Sequence, residues 1–501
     1  MRTHDEEQGA GHTSLAHARL NGRTGVHALA VMGGSQGAKL ALNITATLIL
    51  VRLLTPADFG RFAMVGLVIN FIMAFKDFGL STAAIQASVL TERQSSTLFW
   101  LNQAGGISMA LLTVVLAVPM GWFFAEPALP PTVMVLSLGF PLGSLAAQHD
   151  ALLRRNFKFA TVGGLDVAAT LIGVVTAVAM AKGGFGWHSL VAQRMVQLSC
   201  LAVFTWVACN WRPSFVFAWK ETQQDIRFAM HVMVSQLSGF TSQNADNLLI
   251  GWYWGSVPLG LYSKSYDLLT GPIGQISNPI GQVLQPILGR LRDEPDRYRV
   301  LAGHALTGSL LALMPAGVLM FWQPLPVTKV LLGDQWLGAA PTLGWLGLGM
   351  ATLLANSILF WLLITQRLGW VLTRTTLINT AVNLLGFGIS LPFGITAMAA
   401  TFVLLAVFFR IPHTAHAVTQ GGIIRWADIA RSLLLPLLAF GVLTAFYLIL
   451  PLTRLASRVA AWQYLTICVA AGYGVMILVI VPTAFGKYIL RHLPGFARAG
   501  T

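Results

Sequence analysis

Charge is what this chain has least of: Asp, Glu, Lys and Arg make up 10% of its 501 residues, against 55% hydrophobic ones. A soluble domain covers its surface with about 25% charged residues. Water is therefore not its main solvent, which excludes most cytosolic enzymes, and so apolar a chain is not a disordered one either. Cysteine is almost as scarce. Cys200, Cys209 and Cys468 sit in apolar runs with no paired or metal-ligand spacing, so small buried hydrophobes are expected, with no disulfide, metal or cofactor. Acid is scarcer than base, 18 Asp plus Glu against 32 Lys plus Arg, for a net charge of +14. No basic tract or nucleic-acid motif accompanies that surplus, so nucleic acid is not an expected partner. The first 25 residues lack the short apolar core of a cleavable signal peptide, and targeting is expected to fall to the first spanning segment.

What the chain does have is recurrent apolar runs of spanning length, about 20 residues each. Fourteen are expected, near 33–51, 62–84, 98–120, 131–152, 161–181, 187–208, 228–253, 260–288, 300–322, 341–365, 370–390, 393–411, 430–450 and 462–482. The fold class is an all-α membrane protein. With the N-terminus in the cytoplasm, 22 Lys and Arg fall in cytoplasmic loops and 6 outside, as the positive-inside rule requires. One missed span would reverse every later loop and erase that bias.

Shifting the chain by 200 residues lays Ser35-Gln36 on Ser235-Gln236, Leu48 on Leu248, Gly60 on Gly260 and Phe62 on Tyr262. Six spans separate the copies, so two pseudo-symmetric six-helix bundles of the same orientation and two C-terminal helices are expected. The implied organisation is a cytoplasmic N-terminal segment (1–32), an N-lobe (33–210), a cytoplasmic linker (211–227), a C-lobe (228–411), a helix pair (412–482) and a cytoplasmic tail (483–501).

Ionisable side chains inside spans are the sharpest chemical signal, because each costs about 2.5–3.5 kcal/mol at a helix centre. Eight stand out: Lys39, Lys76, Asp77, Asp166, Arg194, Asp246, Lys264 and Asp267. Four cations and four anions can neutralise one another, and Lys264 with Asp267, at i,i+3, can do so locally. Asp246 can take part in ion coupling, or pair with Lys39 or Lys264. Asp166, near a helix start, reads as an interfacial anchor. GGSQGAK, starting at Gly33, lacks phosphate-loop spacing. DEPD, starting at Asp293, reads as a solvated charged loop among arginines.

LVRLLTPADFGRFAMVGL, KDFGLSTAAIQ, LFWLNQAGG and ADNLLIGWYWGSVPLGLYSKSYDLL resemble the Wzx-type polysaccharide transporters of the multidrug/oligosaccharidyl-lipid/polysaccharide exporter superfamily. The run through LFWLNQ looks most like exporters of exopolysaccharide or colanic-acid type units. The basic bias puts both termini in the cytoplasm, and the resemblance implies two helical bundles around a central cavity in the bacterial inner membrane. It also implies a flippase, not an enzyme, that moves undecaprenyl-diphosphate-linked oligosaccharides and works beside membrane lipids and polysaccharide polymerase or export machinery. A diphosphate needs cations to replace its hydration. Lys39, Arg52, Lys76, Arg194 and Lys264 are then the substrate-binding candidates, Arg194 first because its planar fork suits phosphate. Asp77, Asp246 and Asp267 are left for ion coupling or charge pairing. Amides and aromatics such as Gln36, Asn244, Asn247, Trp252 and Tyr266 suit sugar hydroxyls and faces, although tryptophans and tyrosines at span ends also fit an interfacial belt. Two other classes remain as alternatives: a repeat-unit polymerase or other membrane enzyme of the same pathway, and a drug or peptidoglycan-precursor exporter. The longest external loop, Gln323 to Ala340, holds Lys329 and Asp334 as its only charges, which disfavours the enzyme.

Fourteen spans with a cytoplasmic start place the C-terminus in the cytoplasm. A C-terminal alkaline phosphatase fusion is expected to be inactive and a fluorescent-protein fusion bright; an active phosphatase would make the number of spans odd.

Overall fold

The computed structural model describes residues 22–75, 91–156, 158–217, 244–449, 461–483 and 485–486. Among them every regular element is helical, the form in which a single segment satisfies its own backbone in lipid. Among the described residues ten helices are long and apolar enough to cross a membrane. Sequence and structure agree closely on several: 98–120 lies within Glu92–Phe123, 161–181 within Phe159–Lys182, and 430–450 overlaps Trp426–Ile449. Ser256–Arg290, 35 residues long, is not among the ten, since Lys264, Asp267 and many Ser, Gln and Gly residues dilute its apolar character. The three cysteines are free, Cys209 and Cys468 being buried.

Local chemistry fixes where helices start and break. Thr55 opens the helix Pro56–Phe75 with a capping box: its backbone N–H donates to Asp58 Oδ2 at 2.9 Å, and Asp58 N–H donates to Thr55 Oγ1 at 3.3 Å. Pro56 takes the first helical position, where no N–H is needed. Thr91 and Gln94 repeat the device before Glu92–Phe123. The expected span 131–152 is two helices, Leu129–Ser137 and Gly139–Arg155, because Pro141 has no N–H to continue the ladder.

The last helix of the expected C-lobe differs from its reading as 393–411. It begins at Ile395, passes through a π turn at Ala406–Arg410 and continues from Ile411 to Thr419. Pro412 would clash with the carbonyl four residues back in a regular helix; the wider turn relieves the clash without ending the helix. Arg410, expected at the cytoplasmic end, therefore stands inside the 25-residue element.

The chain divides into two compact units. One comprises Met1–Leu50, Val68–Ala117 and Pro131–Ser238; the other Val51–Leu67, Val118–Pro130 and Gly239–Thr501. Within the second, the residues matched by the 200-residue shift meet. A Cβ on Gly60 would strike the carbonyl of Ser256, and one on Gly260 would strike the carbonyl of Pro56. The contact is reciprocal, 60 with 256 and 260 with 56, which is the pattern of a local twofold. Only glycine lets the two backbones approach this closely. Trp336 seals the same region, donating from Nε1 to the Val51 carbonyl at 2.8 Å, while Phe59 lies edge-on to it at 5.3 Å.

Gly60→Val and Gly260→Val should each cost about 1–3 kcal/mol or more, the cost of overpacking a site whose neighbours are backbone. Thermal unfolding of the detergent-solubilised protein is expected at lower temperature for both. An unchanged midpoint would mean that the helices do not cross there.

Candidate functional site

In the first unit the charges interlock. Lys39 Nζ donates to Asp166 Oδ2 at 2.5 Å, both side chains being about a quarter exposed (29% and 27%). Asp166 is thus the partner of Lys39, not simply an anchor, and it also exerts its charge on Arg194. Arg194 Nη1 donates to Gln197 Oε1 at 2.8 Å, Gln197 donates to Thr170 Oγ1 at 3.0 Å, and Thr170 donates to the Asp166 carbonyl at 2.7 Å. One connected network therefore joins Phe159–Lys182 to His188–Ala208. Arg194 is not exhausted by it, because its buried Nε has no hydrogen-bond partner among the described residues.

A second polar cluster in that unit escaped the sequence reading. His149, wholly buried, donates from Nδ1–H to the Leu145 carbonyl, 3.1 Å away, and packs against Trp206 (4.6 Å) and Trp211 (5.3 Å). Asn102 and Gln148 are equally buried, and their amide atoms have no partner among the described residues.

In the second unit, Asp246 and Lys264 are 6% and 8% exposed. Asp246 accepts from the Tyr262 hydroxyl at 3.1 Å and from the Asn247 backbone N–H at 2.8 Å. Its partners among the described residues of this unit are thus a phenol and a backbone amide. Lys264 Nζ lies over the Phe59 ring at 4.6 Å, a cation–π contact. Among the described residues no carboxylate comes within 4.0 Å of it, and Asp267, which is exposed, acts on it only at longer range. Tyr266 stacks at 6.2 Å from Tyr262 and meets Phe402 edge-on at 6.0 Å; the Arg410 guanidinium lies over that Phe402 ring at 4.3 Å. Arg410 is the functional candidate the sequence reading missed.

Arg52 is exposed at the end of Gly22–Leu53. Lys76 and Asp77 lie outside the described residues. Trp252, Tyr253 and Trp254 are exposed, as belt residues are. The arginines around DEPD pair with it in part, Arg297 with Glu294 at 2.9 Å and Arg299 with Asp296 at 3.1 Å.

A family model described as polysaccharide biosynthesis protein matches residues 49–341. The chain is 26% identical over 321 residues to the succinoglycan biosynthesis transport protein ExoT of Rhizobium meliloti, covering 64% of this chain and 65% of that one. It is 26% identical to the teichuronic acid biosynthesis protein TuaB of Bacillus subtilis (57% and 60% covered). It is 21% identical to the lipopolysaccharide biosynthesis protein WzxC of Escherichia coli (61% and 62%). The matches thus span somewhat under two thirds of these relatives' length. Among solved structures, the fold is similar to that of the lipid II flippase MurJ in an inward closed conformation, with TM-score 0.72, 11% identity, and 92% and 99% of the chains covered. An inward-facing multidrug resistance MATE family transporter gives TM-score 0.61 at 14% identity, with 77% and 95% covered. At these identities the likeness to solved structures is one of fold.

The Lys39–Asp166 pair makes a prediction of its own. Removing one partner of a shielded pair strands the other charge and costs about 3–5 kcal/mol when burial is complete, less at this partial exposure. Asp166→Asn should therefore lower membrane abundance, and the exchange Lys39→Asp with Asp166→Lys should restore part of it. Equal abundance of all three proteins would remove the pair from the list of structural contacts.

Proposed function

The chain belongs to the polysaccharide biosynthesis protein family, and from that premise we propose that it is a flippase for undecaprenyl-diphosphate-linked oligosaccharide repeat units. It acts in the bacterial inner membrane, with both termini cytoplasmic, and feeds repeat units to polysaccharide polymerisation and export. It performs no chemistry on the unit.

The supporting observation is that each unit holds a cation inside a helix whose hydrogen-bonding capacity is not used up. Arg194 keeps a buried Nε without a partner, and Lys264 is buried over a ring with no carboxylate within 4.0 Å among the described residues. A fully neutralised ion pair has nothing left to offer a ligand. A cation with spare donors can replace the water that a diphosphate must shed before it enters an apolar environment. The names of the relatives, which pair transport with succinoglycan and biosynthesis with lipopolysaccharide, support a saccharide cargo.

Translocation then proceeds by alternating access. The diphosphate is held by Arg194 or Lys264 while amide side chains such as Asn247 receive sugar hydroxyls. Lys39 and Asp166 hold the first unit's helices in register. Asp246 and Asp267 are the carboxylates available to a coupling ion.

Deleting the gene should abolish the surface or secreted polysaccharide while lipid-linked repeat units accumulate on the cytoplasmic leaflet. Leaflet-selective labelling of the lipid-linked sugar, with polysaccharide quantified in parallel, tests this. Accumulation of unpolymerised units on the outer leaflet would indicate a polymerase instead, and intact polysaccharide would end the reading.

A further inference from the structure

Arg410 is a basic residue that hydropathy assigns to a cytoplasmic rim and the fold places inside an apolar helix. A guanidinium has five N–H donors, and burying them without acceptors is costly. Here few are met. Nη2 reaches the Phe402 carbonyl only at 3.4 Å, Nε is buried with no partner among the described residues, and the ring of Phe402 covers one face of the group. Among the described residues no carboxylate lies within 4.0 Å of it. Its electrostatic neighbours are the phenols of Tyr266 and Tyr262.

Those two phenols differ in what they have left to give. The Tyr262 hydroxyl donates to Asp246. The Tyr266 hydroxyl makes no hydrogen bond among the described residues, and its ring is fixed edge-on against the same Phe402 that carries Arg410. An arginine fork with unused donors and a phenol O–H therefore face the same aromatic ring. Both are donors, and beyond the long Arg410 contact to the Phe402 carbonyl neither has an acceptor among the described residues. The complement of such a pair is a phosphoryl oxyanion, which offers several oxygens to a planar fork and accepts from a hydroxyl. The π turn contributes as well: such turns occur mostly as single insertions at functional positions, and this one sets Arg410 within the element instead of at its end.

The geometry points to Arg410 and Tyr266 as an anion-binding subsite of the second unit, taking a phosphate of the polyprenyl diphosphate. The assignment rests on the flippase reading for the identity of its ligand. A phosphoryl oxyanion has a second source in the membrane, the headgroup of an anionic phospholipid, so the test needs both.

Purified full-length protein in detergent is titrated with undecaprenyl diphosphate lacking sugar and, separately, with phosphatidylglycerol, each followed by native mass spectrometry. Arg410→Gln is expected to weaken diphosphate binding about tenfold, Arg410→Lys less, and Tyr266→Phe severalfold, with phosphatidylglycerol unaffected. Wild-type diphosphate affinity in Arg410→Gln would overturn the subsite. So would an effect confined to phosphatidylglycerol. If Arg410→Gln does not accumulate, Arg410→Lys decides by the same titration, and failure of both to accumulate makes Arg410 a structural residue and overturns the proposal. Loss of binding in the variants beside an intact wild type separates this claim from the flippase reading. A wild type that binds no diphosphate, with polysaccharide intact after gene deletion, overturns both.

Discussion

Inside hydrocarbon every polar group must find its partner within the protein, because no water is there to supply one. That constraint shapes each level of this molecule. It confines the described backbone to helices. It draws Lys39 to Asp166 across 127 residues of sequence, and it ties Asp246 to a phenol and a backbone amide. Even the close helix crossing at Gly60 and Gly260 follows, since helices that cannot gain from excluding water gain instead from backbone proximity.

The same constraint separates structural charges from those available to a cargo. Lys39 and Asp166 satisfy each other, and their network through Thr170 and Gln197 holds two helices together. Lys264 and Arg410 instead rest on aromatic faces. A ring stabilises a cation without consuming all its donors, so on the proposed function these groups tolerate burial and keep donors for an anion that arrives and leaves. A carrier needs that balance, since a site that matched its ligand as completely as a permanent ion pair would not release it.

Much of the architecture was legible in the sequence because it is written in local pattern. Apolar runs mark many of the described helices, and the 200-residue shift pairs Gly60 with Gly260, which meet in the fold. The side-chain partners were less legible. Spacing pairs Lys264 with Asp267 on one helix face, but the fold sets Lys264 over Phe59 and leaves Asp267 exposed. Asp246 looked like a partner for lysine, since nothing in a linear reading marks Tyr262, sixteen residues on, as the hydroxyl that reaches it. Arg410 was missed for a specific reason. Pro412 reads as the end of a helix, whereas the π turn before it absorbs the proline and lets the helix continue to Thr419.

The central claim, that spare donors on intramembrane cations carry a lipid diphosphate across the bilayer, is tested most directly by reconstitution. Purified protein is placed in liposomes carrying a fluorescent polyprenyl-diphosphate oligosaccharide in both leaflets, and a membrane-impermeant glycosidase is added outside. With active protein, cleavage should proceed beyond the half of the label present in the outer leaflet, and Arg194→Ala with Lys264→Ala should stop it there. Cleavage that halts at the outer leaflet with the wild-type protein, or passes it equally well with the double variant, would contradict the account.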